Sequence, residues 1–525
     1  MNYSSSEVKY NDIEKEIYRV LYSLRNSEII KISEFLKHIR IKEDFNAKLD
    51  FPRVSMLKSL ILMKLKSIKS QTELSKFLTE SKEDAHNLGF YGENDKILTP
   101  NQRSFSHFIN HKLTEEEKKF IEFIITKTNE ISQKFGIVFD DVESLITRRK
   151  EGGTERTLNN RKGKKLRELC RYVKENIYPK IDLQIRSNSI YKKEDYLDIL
   201  THITMTKDFT ENGCKTYKRI KSSNSPVART LLYHLRKYDE WNTVQQIFIR
   251  LFDHIYKLAI KIGILDRRKS YDIALDFTDI PHYGNINNNM VVGTKPSLGT
   301  SYAYKYATIN IVEEGRRFTL IALPVGPLSS YIKIVERLLA FTKDRIKIRK
   351  LYADRYFFKS NVINLFKKMG ITFLMPVTGY SKIRKWINRV SAPRVIENYE
   401  MGKEEKAVFN IVLVEDEHKN KLAYATNMNI SNNDTQLIGK IISLYKKRWG
   451  IETSFRVKKR NFFARTTSKN YTVRFFYFMF SVLLYNLWIL IDSIIALHLF
   501  GKLLKNHIVT SKLFGTFLYM IRLVT

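Results

Sequence analysis

The sequence predicts an α/β protein: a mixed-sheet domain preceded by a largely α-helical region. Three observations predict it. Apolar residues recur at the helical spacing of three and four as far as about Leu265. After Arg268 the texture changes to short β-branched and aromatic runs. Those runs come in the order strand, strand, strand, helix, strand, helix, strand, which suits an antiparallel array followed by right-handed crossovers to added parallel strands.

The elements follow in chain order. Residues 1–146 read as a helical module: LKSLILMKLKSIKSQTELSKFL (Leu57 to Leu78) has apolar residues at three and four, and Thr114 caps TEEEKKFIEFIITKTNEISQKF with a Glu three residues on. TRRKEGGTERTLNNRKGKKLRELCR, Thr147 to Arg171, reads as an interdomain linker because it combines a charge run with two adjacent glycines. It suits a flexible basic arm along phosphates as well as a solvated loop. Residues 147–268 thus form a basic linker and a second helical region, with NTVQQIFIRLFDHIYKLAIKIGIL its clearest helix; neither a sharp helix-turn-helix pattern nor an internal repeat stands out.

The third part, 269–525, holds the strand-like runs SYDIALDF (270–277), SYAYKYATINIV (301–312), RRFTLIALPV (316–325), RKLYAD (349–354) and ITFLMPV (371–377). YIKIVERLLAFTK and FFKSNVINLFKKMG read as the intervening helices. Between about 379 and 433, AVFNIVLVE and KLAYATNM mark a β-rich insertion, and C-terminal helices follow. FFYFMFSVLLYNLWILI, Phe475 to Ile491, lies at the short edge of membrane-spanning length. Asn486 interrupts it and Asp492 ends it, so it reads as a core helix, and no membrane partner is expected.

Charge narrows the function. The 525 residues carry 91 Lys+Arg against 55 Asp+Glu, a formal +36, far beyond what solubility needs. At 43% hydrophobic the chain can bury sizeable cores, so disorder is not the expectation. Basic residues spread along the chain among 29 Tyr and 32 Phe point to a nucleic-acid partner, against the plainer reading of a generally Lys-rich protein. Cys170 and Cys214 lack metal-site spacing and read as thiols of a reducing compartment; the N-terminus shows no secretory pattern.

Two strands end in aspartate. Alternation in SYDIALDFTDIPHYG sets Tyr271, Ile273, Leu275 and Phe277 opposite Asp272, Ala274 and Asp276, so Asp276 emerges at the strand's end; Asp354 closes KLYAD in the same way. Carboxylates at adjacent strand ends can converge on hard cations such as magnesium. YKKRWGIETSFRVKKR, Tyr445 to Arg460, contains a single acid, Glu452. Read as one helix at about 100° per residue, it places Tyr445, Arg448, Glu452 and Lys459 within roughly 60° of arc. They then share a stripe suited to a metal-ligating Glu flanked by phosphate-holding groups; the plain alternative is a surface helix with Glu/Lys pairing, which leaves Gly450 unexplained.

The spacing Y-x2-R-x3-E-x6-K resembles the signature of DDE transposases of the insertion-sequence-four kind, and DFTDIPHYG and ADRYFF resemble the family's two aspartate motifs. From Asp276 to Asp354 is 78 residues and from there to Glu452 is 98, room for the family's β-strand insertion. The likeness covers about 270–490. It departs at Tyr356, where many relatives have glycine.

The resemblance implies an RNase H-like catalytic domain with a β-strand insertion, and a metal triad of Asp276, Asp354 and Glu452 holding two Mg2+ ions, with Mn2+ as a substitute. Tyr445, Arg448 and Lys459 would clamp double-stranded DNA, both transposon ends and target. Trp449, packed beside the signature, and Arg465 join the DNA-binding set. Asp272 and Asp279 are weaker candidates for the first aspartate. His282 and Tyr283 either line the site or are structural, and Trp386 either packs or stacks on a flipped base. Also implied are cut-and-paste transposition through a hairpin intermediate, a homodimer on DNA, end binding by the helical half, and a cytoplasmic, nucleoid-associated location in a prokaryote. An RNase H-like nuclease or resolvase, or a silent DNA-binding descendant, are the competing readings.

Overall fold

The chain is described by a computed structural model over residues 5–24, 31–41, 50–66, 68, 70–91, 98–135, 155–221, 225–286, 290–378 and 381–521. It divides into two compact units, Met1–Thr147 and Arg148–Thr525.

The first unit is helical throughout its described residues, around a core that includes Ile17, Phe35, Ile61, Leu74, Phe105 and Ile124. The apolar run expected as one helix from Leu57 to Leu78 is two, Arg53–Leu65 and Gln71–Glu80. The break has a local cause: Ser70 accepts a hydrogen bond from the Glu73 N–H at 3.1 Å, so a polar N-cap restarts the helix inside an apolar pattern. Thr114 and Glu117 form a reciprocal capping box at the head of Glu115–Phe135, with bonds of 3.2 and 2.9 Å. Arg53 then grips Glu117 through Nε at 2.8 Å, tying two helices of the unit together.

In the second unit, the stretch read as a linker is partly outside the described residues. From Glu155 onward it is neither arm nor loop but the helix Glu155–Tyr172, because Leu166, Leu169 and Cys170 give it an apolar face to bury. The helices Lys193–Thr206, Thr210–Lys221, Ala228–Arg236 and Trp241–Lys261 follow within the same unit as the sheet.

Nine strands make one mixed sheet: β1 (Ser270–Pro281), β2 (Val291–Ser297), β3 (Thr300–Ile311), β4 (Thr319–Val325), β5 (Lys347–Ala353), β6 (Phe373–Pro376), β7 (Arg394–Met401), β8 (Ala407–Glu415) and β9 (Lys421–Thr426). Their order is β2-β3-β1-β5-β6-β9-β8-β7, with β4 also on β3. β5 lies parallel to both β1 and β6, and the other pairings are antiparallel. The sequence reading has no strand at β2, where Gly293, Lys295 and Pro296 depress the strand signal; pairing to β3 supplies what propensity does not. The β-rich segment after 379 continues the main sheet through β9 on β6.

The apolar helix Tyr471–Phe500 is long enough to cross a membrane, yet 94% of its most apolar window is buried inside the protein. Phe478 stacks on Tyr306 of β3 at 3.8 Å, and Phe476 meets Phe248 of the helix Trp241–Lys261 at 5.2 Å. The helix therefore lies between sheet and helical layer, which explains apolar residues all round. Its one amide in the middle has a defined job. Asn486 accepts from the Thr319 N–H at 2.9 Å and donates to the Thr319 carbonyl at 2.8 Å, completing the outer edge of β4 as a further strand would. Replacing Asn486 with Leu strands one buried donor and one buried acceptor. Urea unfolding of the full chain should show a loss of about 2–4 kcal/mol, whereas a loss below about 0.5 kcal/mol would show that β4 does not need the amide.

Candidate active site

Parallel pairing builds the site's floor. β1 and β5 run in register to Leu275 opposite Ala353. β5 ends there, so Asp354 leaves the sheet, whereas β1 runs on to Pro281 along β3, so Asp276 lies within its strand beside the end of β5 and not at a strand's end as the sequence suggested. Neighbouring strands are about 4.8 Å apart, close enough for the two carboxylates to feel one another. Each is tied back in the same way. Asp276 Oδ1 accepts the Phe277 N–H at 2.8 Å, and Asp354 Oδ1 accepts the Arg355 N–H at 2.7 Å.

The roof is a pair of helices, Thr435–Lys446 and Trp449–Asn461, laid on the sheet face that carries Ala274, Tyr352, Leu374, Val412 and Tyr424. The stretch from Tyr445 to Arg460 is therefore not one helix. Three successive tight bonds break it: Arg448 N–H to Tyr445 O, Gly450 N–H to Lys447 O and Ile451 N–H to Arg448 O, each 2.9 Å. Gly450 falls in the first turn of the second helix, where a Cβ would come within 3.2 Å of Val312. Close docking on the end of β3 is the reason for glycine there, reinforced by Asn310 Nδ2 donating to Ser454 Oγ at 2.6 Å.

The break corrects the single-stripe expectation. Tyr445 is buried, with its ring against Tyr424 and its hydroxyl donating at 3.3 Å to the carbonyl of Ala353, the residue before Asp354. Arg448 is only 8% exposed and turns inward. Its Nη1 reaches Asp276 Oδ2 at 3.0 Å, and its Nη2 bonds Glu452 Oε1. The backbone turn at 447–448 aims these two side chains at the carboxylates rather than at solvent. Among the described residues no three of His, Cys, Asp and Glu form a ready metal cluster; the Arg448 guanidinium stands between Asp276 and Glu452.

Burial pushes the Asp276 carboxyl up to about 7; Arg448 opposes the rise, and the nearby Asp354 and Glu452 charges add to it. Asp272, four residues earlier on the same face, behaves oppositely. Burial raises its pKa, but hydrogen bonds from Arg349 and Lys447, both at 2.7 Å, outweigh that and hold it below the usual carboxylate range. It is a structural ion-pair centre that anchors Lys447 beside the break. Asp279 pairs with Lys305 at 2.6 Å.

The solvent stripe of Trp449–Asn461 is Trp449, Glu452, Arg456 and Lys459, spaced three, four and three. Trp449 is 60% exposed, so it presents its indole instead of packing beside the helix. Lys459 Nζ donates to the Asp279 carbonyl at 2.8 Å. Arg456 went unnoticed in the sequence, although its place four residues after Glu452 was the available signal. Arg465 is exposed and pairs through its backbone with Asp208 at 3.0 Å. His282 is buried against Tyr304 at 4.9 Å, and Trp386 is half-buried in the helix Ser381–Arg389.

Aspartates on adjacent parallel strands, with a glutamate from a covering helix joined to one of them through Arg448, make a carboxylate-rich site on the mixed sheet. Residues 269–487 match the family model of the transposase DDE domain, and the chain is an enzyme of the nuclease and transposase class. Among solved structures, a piggyBac transposase synaptic complex with hairpin DNA aligns at 12% identity and a TM-score of 0.45, over 71% of this chain and 82% of that one. No curated protein sequence matches this chain.

The raised Asp276 pKa has a stability consequence. The folded state holds this proton more tightly than the unfolded chain, so its contribution is full below the ordinary carboxylate pKa and is lost as pH rises through about 7. Asp276→Asn removes that ionisation cost. In metal-free buffer the variant should gain about 1–3 kcal/mol over wild type at pH 8 and distinctly less at pH 5. Thermal unfolding at the two pH values measures it; an equal shift at both contradicts the assignment.

Proposed function

We propose that the protein is a cut-and-paste DNA transposase of an insertion sequence, with Asp276, Asp354 and Glu452 as its metal ligands. The observation that carries this reading is the register of β1 and β5, which sets two carboxylates together beneath Glu452 inside a transposase DDE domain. The donor set suits the group it has to hold: three carboxylates offer only oxygen, as hard divalent cations require. Two magnesium ions, or manganese in their stead, supply activation of water and then of the freed 3′ hydroxyl when bound.

The chain's own residues do the positioning. Backbone N–H groups fix Oδ1 of Asp276 and of Asp354, and Arg448 binds Oδ2 of Asp276. Tyr445 holds the helix pair onto the end of β5. Arg448 supplies counter-charge within the carboxylate cluster, and its reach of both Asp276 and Glu452 makes it the group that orients Glu452 over the strand ends. Trp449, Arg456 and Lys459 face the DNA backbone from the exposed stripe, with Arg465 beyond them, and their charges explain why Glu452 is so isolated among cations. The helical first unit binds the element's ends, two copies act on paired ends, and release runs through a hairpin, as the insertion-sequence-four resemblance implies.

Glu452→Gln keeps the shape and removes the charge. On a duplex carrying the element's own end, wild type should nick with magnesium or manganese and then join the 3′ end to target DNA. The variant should bind equally but cut about a thousandfold more slowly or less. Cleavage without strand transfer would indicate a nuclease instead, and binding without cleavage in wild type a silent descendant.

A further inference from the structure

The end of the β2–β3 hairpin is built unlike the rest of the sheet. From Gly293 to Tyr302 it is exposed or half-exposed at every position, so it projects as a two-stranded ribbon with both faces in solvent. Such a ribbon is marginal by itself, but this one is braced from below. The His282 N–H donates to the Tyr302 carbonyl at 2.9 Å, Thr300 Oγ1 donates to the His282 carbonyl at 2.7 Å, and Tyr283 Oη donates to the Leu298 carbonyl at 2.8 Å.

The tip is a two-residue turn between Ser297 and Thr300 with both central residues at positive φ, Leu298 at 53° and Gly299 at 80°. That turn calls for Asn or Asp followed by Gly. Leucine at the first position is strained, and here it is 77% exposed. Folding gains nothing from a strained apolar residue in water, so its place is accounted for by something it meets outside the chain.

Charge says what that is. No Asp or Glu occurs from Ile280 to Val312, in a segment that includes Lys295 and Lys305 and is otherwise rich in Asn, Thr, Ser and Tyr. A neutral-to-basic, hydrogen-bonding ribbon is the form that enters a DNA groove, and Leu is among the side chains that wedge between base steps. Its position agrees. Asp276 lies opposite Thr308 on β3, and the eight residues from there back to Thr300 place the tip roughly 26 Å beyond the carboxylates at about 3.3 Å per residue. That is about three quarters of one turn of duplex, which is about 34–36 Å.

We infer that the β2–β3 ribbon docks in a groove of the same duplex that the carboxylate site cuts, about three quarters of a helical turn away, with Leu298 as its apolar wedge. This inference rests on the DNA-processing reading above.

Leu298→Asn separates the wedge from the fold, because Asn tolerates the left-handed conformation that Leu resists. With full-length protein and a duplex of about 40 bp, the variant should unfold at the same temperature as wild type or higher. Its affinity should fall about tenfold, and its hydroxyl-radical footprint should shorten by about three quarters of a turn on one side. Leu298→Gly should behave alike. If wild type binds and cuts while both variants bind with unchanged affinity and footprint, the ribbon proposal is wrong and the transposase reading stands. Variants that lose self-association with an unchanged footprint would make the ribbon a subunit contact, which also overturns the proposal. A wild type that binds no duplex overturns both readings.

Discussion

The parallel register of β1 and β5 is the constraint on which the rest of the catalytic unit turns. Pairing to Leu275 opposite Ala353 sets Asp276, within β1, beside Asp354 at the end of β5, and a slip of one residue would put one of them on the opposite face. Placing like charges there is unfavourable by itself, and burial of Asp276 makes it more so. The structure answers with the break at 447–448, which lowers Arg448 between Asp276 and Glu452 and sends Lys447 to the buried Asp272. Two adjacent cations thus serve two aspartates four residues apart on one strand.

The same unit handles polar groups in its most apolar layer by matching each one. Thr319 at the start of β4 has its amide and carbonyl bound by Asn486 and its hydroxyl bound by Lys458 Nζ at 2.7 Å. Lys458 is fully enclosed, and burial holds its pKa well below that of an ordinary lysine. Asp492, which ends the apolar run, accepts the N–H groups of Ile508 and Val509 at 2.9 and 2.8 Å. A helix with membrane-like composition therefore sits in a protein core because its few polar positions are where neighbouring backbone needs partners. That arrangement also fixes β4, and with it the flank of β3 against which the helix bearing Glu452 is docked.

Much of this was legible in the sequence. The change of texture after Arg268, the strand ending at Asp354 and the core character of the apolar helix follow from local rules: alternation, β-branching, and polar residues placed inside an apolar run. The strand expected to end at Asp276 runs on to Pro281 because β3 pairs with it there. The capping box at Thr114 was equally readable. The Ser70 cap and the helix from Glu155 were not read, because an apolar pattern outweighed a single serine and a basic run hid three buried positions. β2 was invisible for a stronger reason: its residues have little preference for strand and take that form from β3.

The sequence by itself determined which chemistry is present, namely three carboxylates, the order in which they occur, and a surplus of cations among aromatics. Only the tertiary structure decided what each cation does. Angular spacing alone puts Tyr445 and Arg448 on an outward stripe. A three-residue tightening of the backbone turns both inward and leaves Trp449, Arg456 and Lys459 outside. The physical reason is that Arg448 meets Asp276 across 172 residues of chain. Whether a charge faces solvent or a buried partner depends on what packing brings beside it, which no local spacing encodes.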